Sequence, residues 1–302
     1  MRRDVTFESL GLRCNGWLYL PDNLPSGSKV PAVVMADATA AVKEMVEGKY
    51  AEKFAAAGIA VLAFDFRFLG ESEGEPRNQI IYYDQHEDLR NAITFLSEQP
   101  EIDANRIGIW GISNGGGHVL HVAAFDKRIR AAVAVVPLGM NYEAMQPFMG
   151  PEGMAQFLGF LTHDRVGRFH GRPSGYMALV SLGNTQALFP NPAAFNYYMN
   201  TAEKQAPNFR NEVTLNSVEK NLEFDPGASI HLISPVPLLM VCVEGDMAMP
   251  AGQLMASAFK RAGEPKRLIT LPCAHTDVFE NESAFSQAAN ASVDWFKQYL
   301  MG

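Results

Sequence analysis

The sequence predicts an α/β fold, a mostly parallel, doubly wound sheet with an inserted helical cap. Three observations carry that prediction. Short apolar runs recur without polar alternation, helical patterns lie between most of them, and one long interval near the middle interrupts the rhythm. A strand covered on both faces reads as a continuous apolar run, whereas a half-exposed strand alternates, so the runs point to a buried parallel sheet with helices on its faces.

From the N-terminus, residues 4–9 and 12–20 alternate in polarity around Leu10-Gly11 and predict an antiparallel hairpin. Residues 32–36 form the first continuous run, 47–57 a helical pattern, 60–64 a second run and 83–98 a longer helix. Residues 103–106 read as a turn, 107–110 as a short buried strand, 116–125 as a helix of small residues and 131–136 as another run. From about residue 139 to 232 no strong strand is visible; aromatic, Met-rich and helical segments such as 152–162 and 211–224 take its place. An unstructured loop of that length is uncommon in a compact domain, so the reading is a helical cap over the site. Alternation then resumes with runs at 237–243 and 268–271 and helices at 251–262 and 283–300. The expected organisation is a first core part at 1–138, a cap at 139–232 and a second core part at 233–302. Most aromatic and Met side chains of the cap, among them Phe148, Met154, Phe160, Tyr176, Tyr197 and Tyr198, are expected to pack its own core, with some lining a pocket.

With 302 residues, 47% apolar and 19% charged, the chain has an ordinary globular composition and can bury a sizeable core. A net charge of −8 and no basic run beyond Arg2-Arg3 argue against nucleic acid as a partner. No apolar stretch approaches a membrane span, and the opening residues alternate like a strand rather than forming a signal peptide, so a cytoplasmic protein without membrane contact is expected. Cys14, Cys242 and Cys273 are odd in number and lack metal-ligand spacing; they read as small apolar thiols, and no metal is expected.

The most function-specific stretch is Ile107 to Gly117, where an apolar strand runs into Gly-x-Ser-x-Gly centred on Ser113 and then into a small-residue helix. That strand, turn and helix order is the context in which such a motif presents a nucleophile, with Gly111 and Gly115 where a Cβ would collide. The plainer alternative is a serine that caps the helix. A serine hydroxyl needs a base to take its proton and an acid to orient that base. Asp246 follows the run at 237–243, and His275 follows the run at 268–271, in the order nucleophile, acid, histidine. Glu244 and Asp277 compete with Asp246, although alternation argues against Glu244. Among the other histidines, His118 and His121 lie on the helix after Ser113, His163, His170 and His231 in or beside the cap, and His86 opens what reads as a surface helix.

An acyl-transfer oxyanion needs two convergent backbone donors. Asn114 is one candidate, and the loop after 32–36 offers Thr39 or Ala38 as the other. A charged Asp37 beside that oxyanion would raise the barrier unless it is protonated, turned away, or paired with a cation such as Lys43 or Arg67. Alternatively, Asp37 caps the helix that follows.

The segments Ala41-Val42-Lys43-Glu44-Met45, Phe64-Asp65-Phe66-Arg67, Gly70-Glu71-Ser72-Glu73-Gly74-Glu75-Pro76-Arg77, Asn211-Glu212-Val213-Thr214-Leu215 and Ile233-Ser234-Pro235, with the serine motif, resemble the α/β-hydrolase superfamily along almost the whole chain. More narrowly they resemble its dienelactone-hydrolase-like and X-Pro-peptidase-like branch, which includes bacterial esterases and the polyketide acyltransferases and thiohydrolases of fungal pathways. The resemblance implies the α/β-hydrolase fold, Ser113, Asp246 and His275 as a triad, a helical cap and no cofactor. The chain departs from it at Asp37-Ala38, where such proteins usually carry His-Gly. The leading expectation is a serine acyl hydrolase for a small-molecule ester, thioester or lactone with a largely apolar acyl group, with acyl transfer built from the same parts. Two others are a lyase or carbon-carbon bond enzyme using Asp37 as acid/base, and a non-catalytic ligand-binding homologue; exposed cap aromatics could also serve a homodimer.

Overall fold

The computed structural model describes residues 1–302 other than 184, 185 and 248. β1 (Arg2–Ser9) and β2 (Leu12–Tyr19) form the antiparallel hairpin, turned at Leu10 and Gly11 with positive φ at both. β3 (Val30–Ala36), α1 (Glu47–Ala56), β4 (Ala60–Phe64), α2 (Tyr82–Ser97), β5 (Ile102–Ile112), α3 (Asn114–Phe125) and β6 (Ile129–Val135) then alternate. The middle interval holds α4 (Tyr142–Phe169), β7 (Tyr176–Val180), β8 (Ala187–Phe189), α5 (Pro192–Gln205), β9 (Val213–Thr214) and α6 (Leu215–Asn221). β10 (Leu238–Val243), α7 (Glu244–Met247), α8 (Pro250–Arg261), β11 (Lys266–Leu271), α9 (Asp277–Glu280) and α10 (Glu282–Phe296) complete the order.

Among the described residues the main sheet has eight strands in the order β1-β2-β4-β3-β5-β6-β10-β11, with every pairing from β4 to β11 parallel. β4, β6 and β10 are buried almost throughout, which is why they read as unbroken apolar runs. Each Val, Leu or Ile so buried contributes about 1.5–3 kcal/mol relative to exposure. On one face Trp110 of β5 packs against Tyr50 of α1, ring centroids 4.5 Å apart, and Phe54 of α1 packs against Phe296 of α10. The Tyr50 hydroxyl donates to the Val278 carbonyl at 2.9 Å, so its polar end is satisfied inside the core.

Three expectations need correction. Residues 103–106 are not a separate turn but part of β5, which starts at Ile102 and shifts register beside Ile107. The turn chemistry is real: Asp103 accepts from the Asn105 N–H and from Arg106 Nε, and the sheet absorbs it as an irregularity of the strand. The run at 268–271 belongs to β11, the sheet edge, where Leu268 is exposed rather than covered on both faces. The middle interval is not purely helical, because β8, β7 and β9 form a three-stranded sheet. Such short strands give no sustained apolar run, and 211–224 divides because the Thr214 hydroxyl accepts from the Ser217 N–H and starts α6. α4 kinks at Gly150, which has φ 68° between Pro147 and Pro151. Met154 and Leu161 of this helix are buried, whereas Phe148, Phe160 and Phe169 are exposed, so its aromatic residues do not all serve as packing. No described helix is long and apolar enough to cross a membrane.

Candidate active site

The carboxyl ends of β3, β5, β10 and β11 lead directly into the segments that carry Asp37, Ser113, Asp246 and His275. Ser113 takes φ 55° and ψ −119° between β5 and α3, a conformation an L-residue adopts only under constraint. The constraint is visible. Its N–H donates to the Val135 carbonyl at 2.9 Å, and its own carbonyl accepts from the N–H groups of Leu138 and Gly117. A Cβ at Gly111 would lie 2.2 Å from the Gly115 carbonyl oxygen, and one at Gly115 would lie 1.9 Å from that of Ala36. Both glycines are therefore required for the tight passage from strand to helix.

Ser113, His275 and Asp246 come together in line. His275 Nδ1–H donates to Asp246 Oδ2 at 2.6 Å, which leaves Nε2 to accept from the Ser113 hydroxyl at 3.0 Å. The acid and histidine turns are tied to each other by the Gly245 N–H, which donates to the Cys273 carbonyl at 3.1 Å. The competing carboxylates are placed elsewhere: Glu244 is exposed, and Asp277 accepts from the Ala274 N–H at 2.8 Å, bracing the residue before His275. Phe279 meets the imidazole edge-on at 5.4 Å.

The loop after β3 sorts the remaining donors. The Ala38 N–H donates to Asp37 Oδ1 at 2.6 Å and is taken, whereas the N–H groups of Thr39 and Asn114 have no partner among the described residues. The Tyr198 hydroxyl, from α5, donates to the Thr39 carbonyl at 2.9 Å.

Neither cation suggested for Asp37 pairs with it. Lys43 Nζ lies 2.7–3.0 Å from carboxylate oxygens of Glu44, Asp65 and Glu71, and Arg67 is bound to Asp88. Both side chains are drawn to other acids, Lys43 to Glu44, Asp65 and Glu71, and Arg67 to Asp88. Glu44, Asp65 and Glu71 are close enough together to hold a cation, and the Lys43 ammonium already sits among them. Asp37 itself is 4% exposed. Burial pushes its carboxyl up to about 7; the amides of Ala38, Val46 and Glu47 oppose that rise, those of Val46 and Glu47 without reaching hydrogen-bond geometry, and Asp65 adds to it. Glu47, at the start of α1, is also buried and is pushed well above the usual carboxylate range, first by desolvation and then by Asp37 and Asp65.

A second buried group was not legible in the sequence. His86, expected on a surface, is fully buried and lies against His118 and His121 of α3. The Asn114 side-chain amide lies 3.4 Å from His118 Nε2, His118 Nδ1 lies 3.0 Å from His86 Nε2, and the rings of His86 and His121 stack at 4.2 Å. If Asn114 donates, His118 donates in turn to His86, whose Nδ1 is the orphaned end of the chain. Burial lowers all three imidazoles, His118 to about 3 and His121 to about 4, so the group is neutral near pH 7. The spacing of His118 and His121 on one helix was the available signal; their meeting with α2 was not.

Residues 11–160 match the family model for X-Pro dipeptidyl-peptidase (S15 family). The chain is 35% identical to thiohydrolase aneE of Aspergillus aculeatus, over 97% of this chain and 91% of the relative. It is 32% identical to polyketide transferase grgF of a Penicillium species, over 99% and 97%. The chain belongs to the α/β-hydrolase family. As a member it superposes on the crystal structure of the Penicillium α/β hydrolase GrgF with a TM-score of 0.83, covering 100% of both chains at 30% identity. Dienelactone hydrolase from Anabaena variabilis, 15% identical over 99% and 98%, shares the fold at a TM-score of 0.59. This α/β-hydrolase is an enzyme of the serine-hydrolase type.

Proposed function

We propose that the protein cleaves a thioester or ester of a largely apolar acyl group through an acyl-enzyme on Ser113. The single observation that carries this reading is the unbroken line from Asp246 through His275 to the Ser113 hydroxyl. In the first half-reaction Ser113 Oγ attacks the acyl carbonyl while His275 Nε2 takes its proton. The tetrahedral oxyanion is assigned to the N–H groups of Asn114 and Thr39, neither of which has a partner among the described residues. Collapse expels the thiol or alcohol, protonated by His275, and leaves the acyl group on Ser113. Water or another nucleophile then gives its proton to His275 and attacks the ester; the acid or transferred product departs, and Ser113 regains its hydrogen. Asp246 orients the imidazole and stabilises it when charged.

Relatives named thiohydrolase and polyketide transferase support a thioester or polyketide acyl donor and leave both water and a second nucleophile as acceptors. The part of the chain between β6 and β10 supplies Tyr198, which bonds to the Thr39 loop, and Tyr197, which packs on Phe279 beside His275. Asp37 gives little support to a lyase route, because it is buried and one of its oxygens is bound within its own loop. A panel of acyl thioesters, esters and lactones, with and without an alcohol acceptor, tests the proposal. Turnover of apolar thioesters that disappears in Ser113→Ala is the expected result; equal turnover in that variant would overturn it.

A further inference from the structure

We propose that Asp37 is a positioning residue of the oxyanion loop that works as a neutral carboxylic acid. The inference rests on the acyl-transfer reading and concerns the step at which charge develops on the carbonyl oxygen. Three observations carry it. The first is a pair of contacts on the loop: Asp37 Oδ1 accepts from the Ala38 N–H, and the Tyr198 hydroxyl donates to the Thr39 carbonyl. These contacts hold the Ala38–Thr39 peptides, and the Thr39 N–H, like that of Asn114, has no partner among the described residues.

The second is a deficit of positive charge. Asp37, Glu44, Glu47, Asp65 and Glu71 lie in one neighbourhood, where Lys43 is the ammonium and is already bonded to three of them. Arg67 is committed to Asp88. The groups facing Asp37 are Glu47 from α1, Asp65 from the end of β4, and the phenols of Tyr197 and Tyr198 from α5; none of them brings a cation. The third is that Asp37 Oδ2 and both Glu47 carboxyl oxygens are buried without a hydrogen-bond partner among the described residues. A carboxylate in that state carries an uncompensated buried charge, which is relieved by binding a proton.

A neutral Asp37 holds the loop without placing a negative charge beside the oxyanion. An ionised Asp37 keeps the Ala38 contact but opposes the transition state. Loss of its proton should therefore slow the reaction at alkaline pH, where a simple serine-histidine pair would stay at a plateau.

The test is the second-order rate of Ser113 labelling by a fluorophosphonate from pH 5.5 to 9, in wild type and in Asp37→Asn. The wild-type rate should rise, then fall by about tenfold per pH unit once Asp37 ionises, before levelling. Asp37→Asn should keep the rise and lack the fall. Thermal melting supplies a second readout, because the difference between Asp37→Asn and wild type should grow from pH 5 to about 7 and then level. A wild-type rate that stays flat to pH 9, an alkaline fall retained in Asp37→Asn, or a melting difference independent of pH would overturn the inference and leave acyl transfer standing. Should Asp37→Asn fail to fold, the presence or absence of the wild-type fall decides. Absence of labelling at every pH would remove the acyl-enzyme reading and this inference together.

Discussion

Asp37 and Asp246 sit just beyond the carboxyl ends of parallel strands in one sheet, yet their surroundings assign them opposite work. Asp246 is partly open to solvent and faces an imidazole that donates to it at 2.6 Å. Asp37 is sealed in, faces other acids, and has one backbone amide for a partner. The first arrangement aligns an imidazole, and the second rewards a carboxylic acid. The difference shows that what surrounds a side chain, rather than its type or its place on the sheet, decides its role.

The comparison breaks most severely if Ser113 is not the shared centre of both sites. Ser113→Ala should lower kcat by roughly 10⁵–10⁶-fold on whichever thioester is best, measured by thiol release. Asp246→Asn should follow with a loss of about 10⁴-fold, because an amide there favours the wrong imidazole tautomer. Asp37→Asn, the same chemical change at the other aspartate, should cost less than about tenfold at pH 6, where the native group is already neutral. Near-equal losses in the two Asp→Asn variants would erase the distinction.

Much of this was readable in the chain because the signals are local. Runs at 60–64 and 237–243 declare buried strands, and Gly111, Ser113 and Gly115 declare a tight turn through the space a Cβ needs. The grouping of Ser113, Asp246 and His275 could be read from the order of strand ends. What escaped depends on distances between segments remote in sequence. Lys43 meets Asp65 and Glu71 rather than Asp37, and His86 is buried only because α2 lies on α3. β7 and β9 are illegible in the sequence for a different reason: strands of five and two residues, in a region dense with aromatics, do not stand out from helix and loop.

Stability should separate the two kinds of buried ionisable group. The folded values of Asp37 and Glu47 are raised, so their contribution is full below the unfolded carboxylate range and is lost as pH rises, for Asp37 through about 7. Asp37→Asn should therefore stabilise the protein by on the order of 1–4 kcal/mol at pH 8 in urea unfolding. The histidines behave in the opposite sense. Their folded values are lowered, so their contribution is complete above about 6.5 and is lost as pH falls toward about 4 for His121 and about 3 for His118. The smallest expected effect is spectroscopic: the His118 ring signals should stay those of a neutral imidazole down to about pH 4. Titration near 6.5 would mean that the pair with His86 is open to water.

The most direct measurement is the mass of the native protein after reaction with a fluorophosphonate, followed by mapping of the modified peptide. One adduct on Ser113, formed in wild type and suppressed in His275→Ala, is the predicted result. A folded wild-type protein that stays unmodified, or that carries the adduct on another residue, would contradict the account.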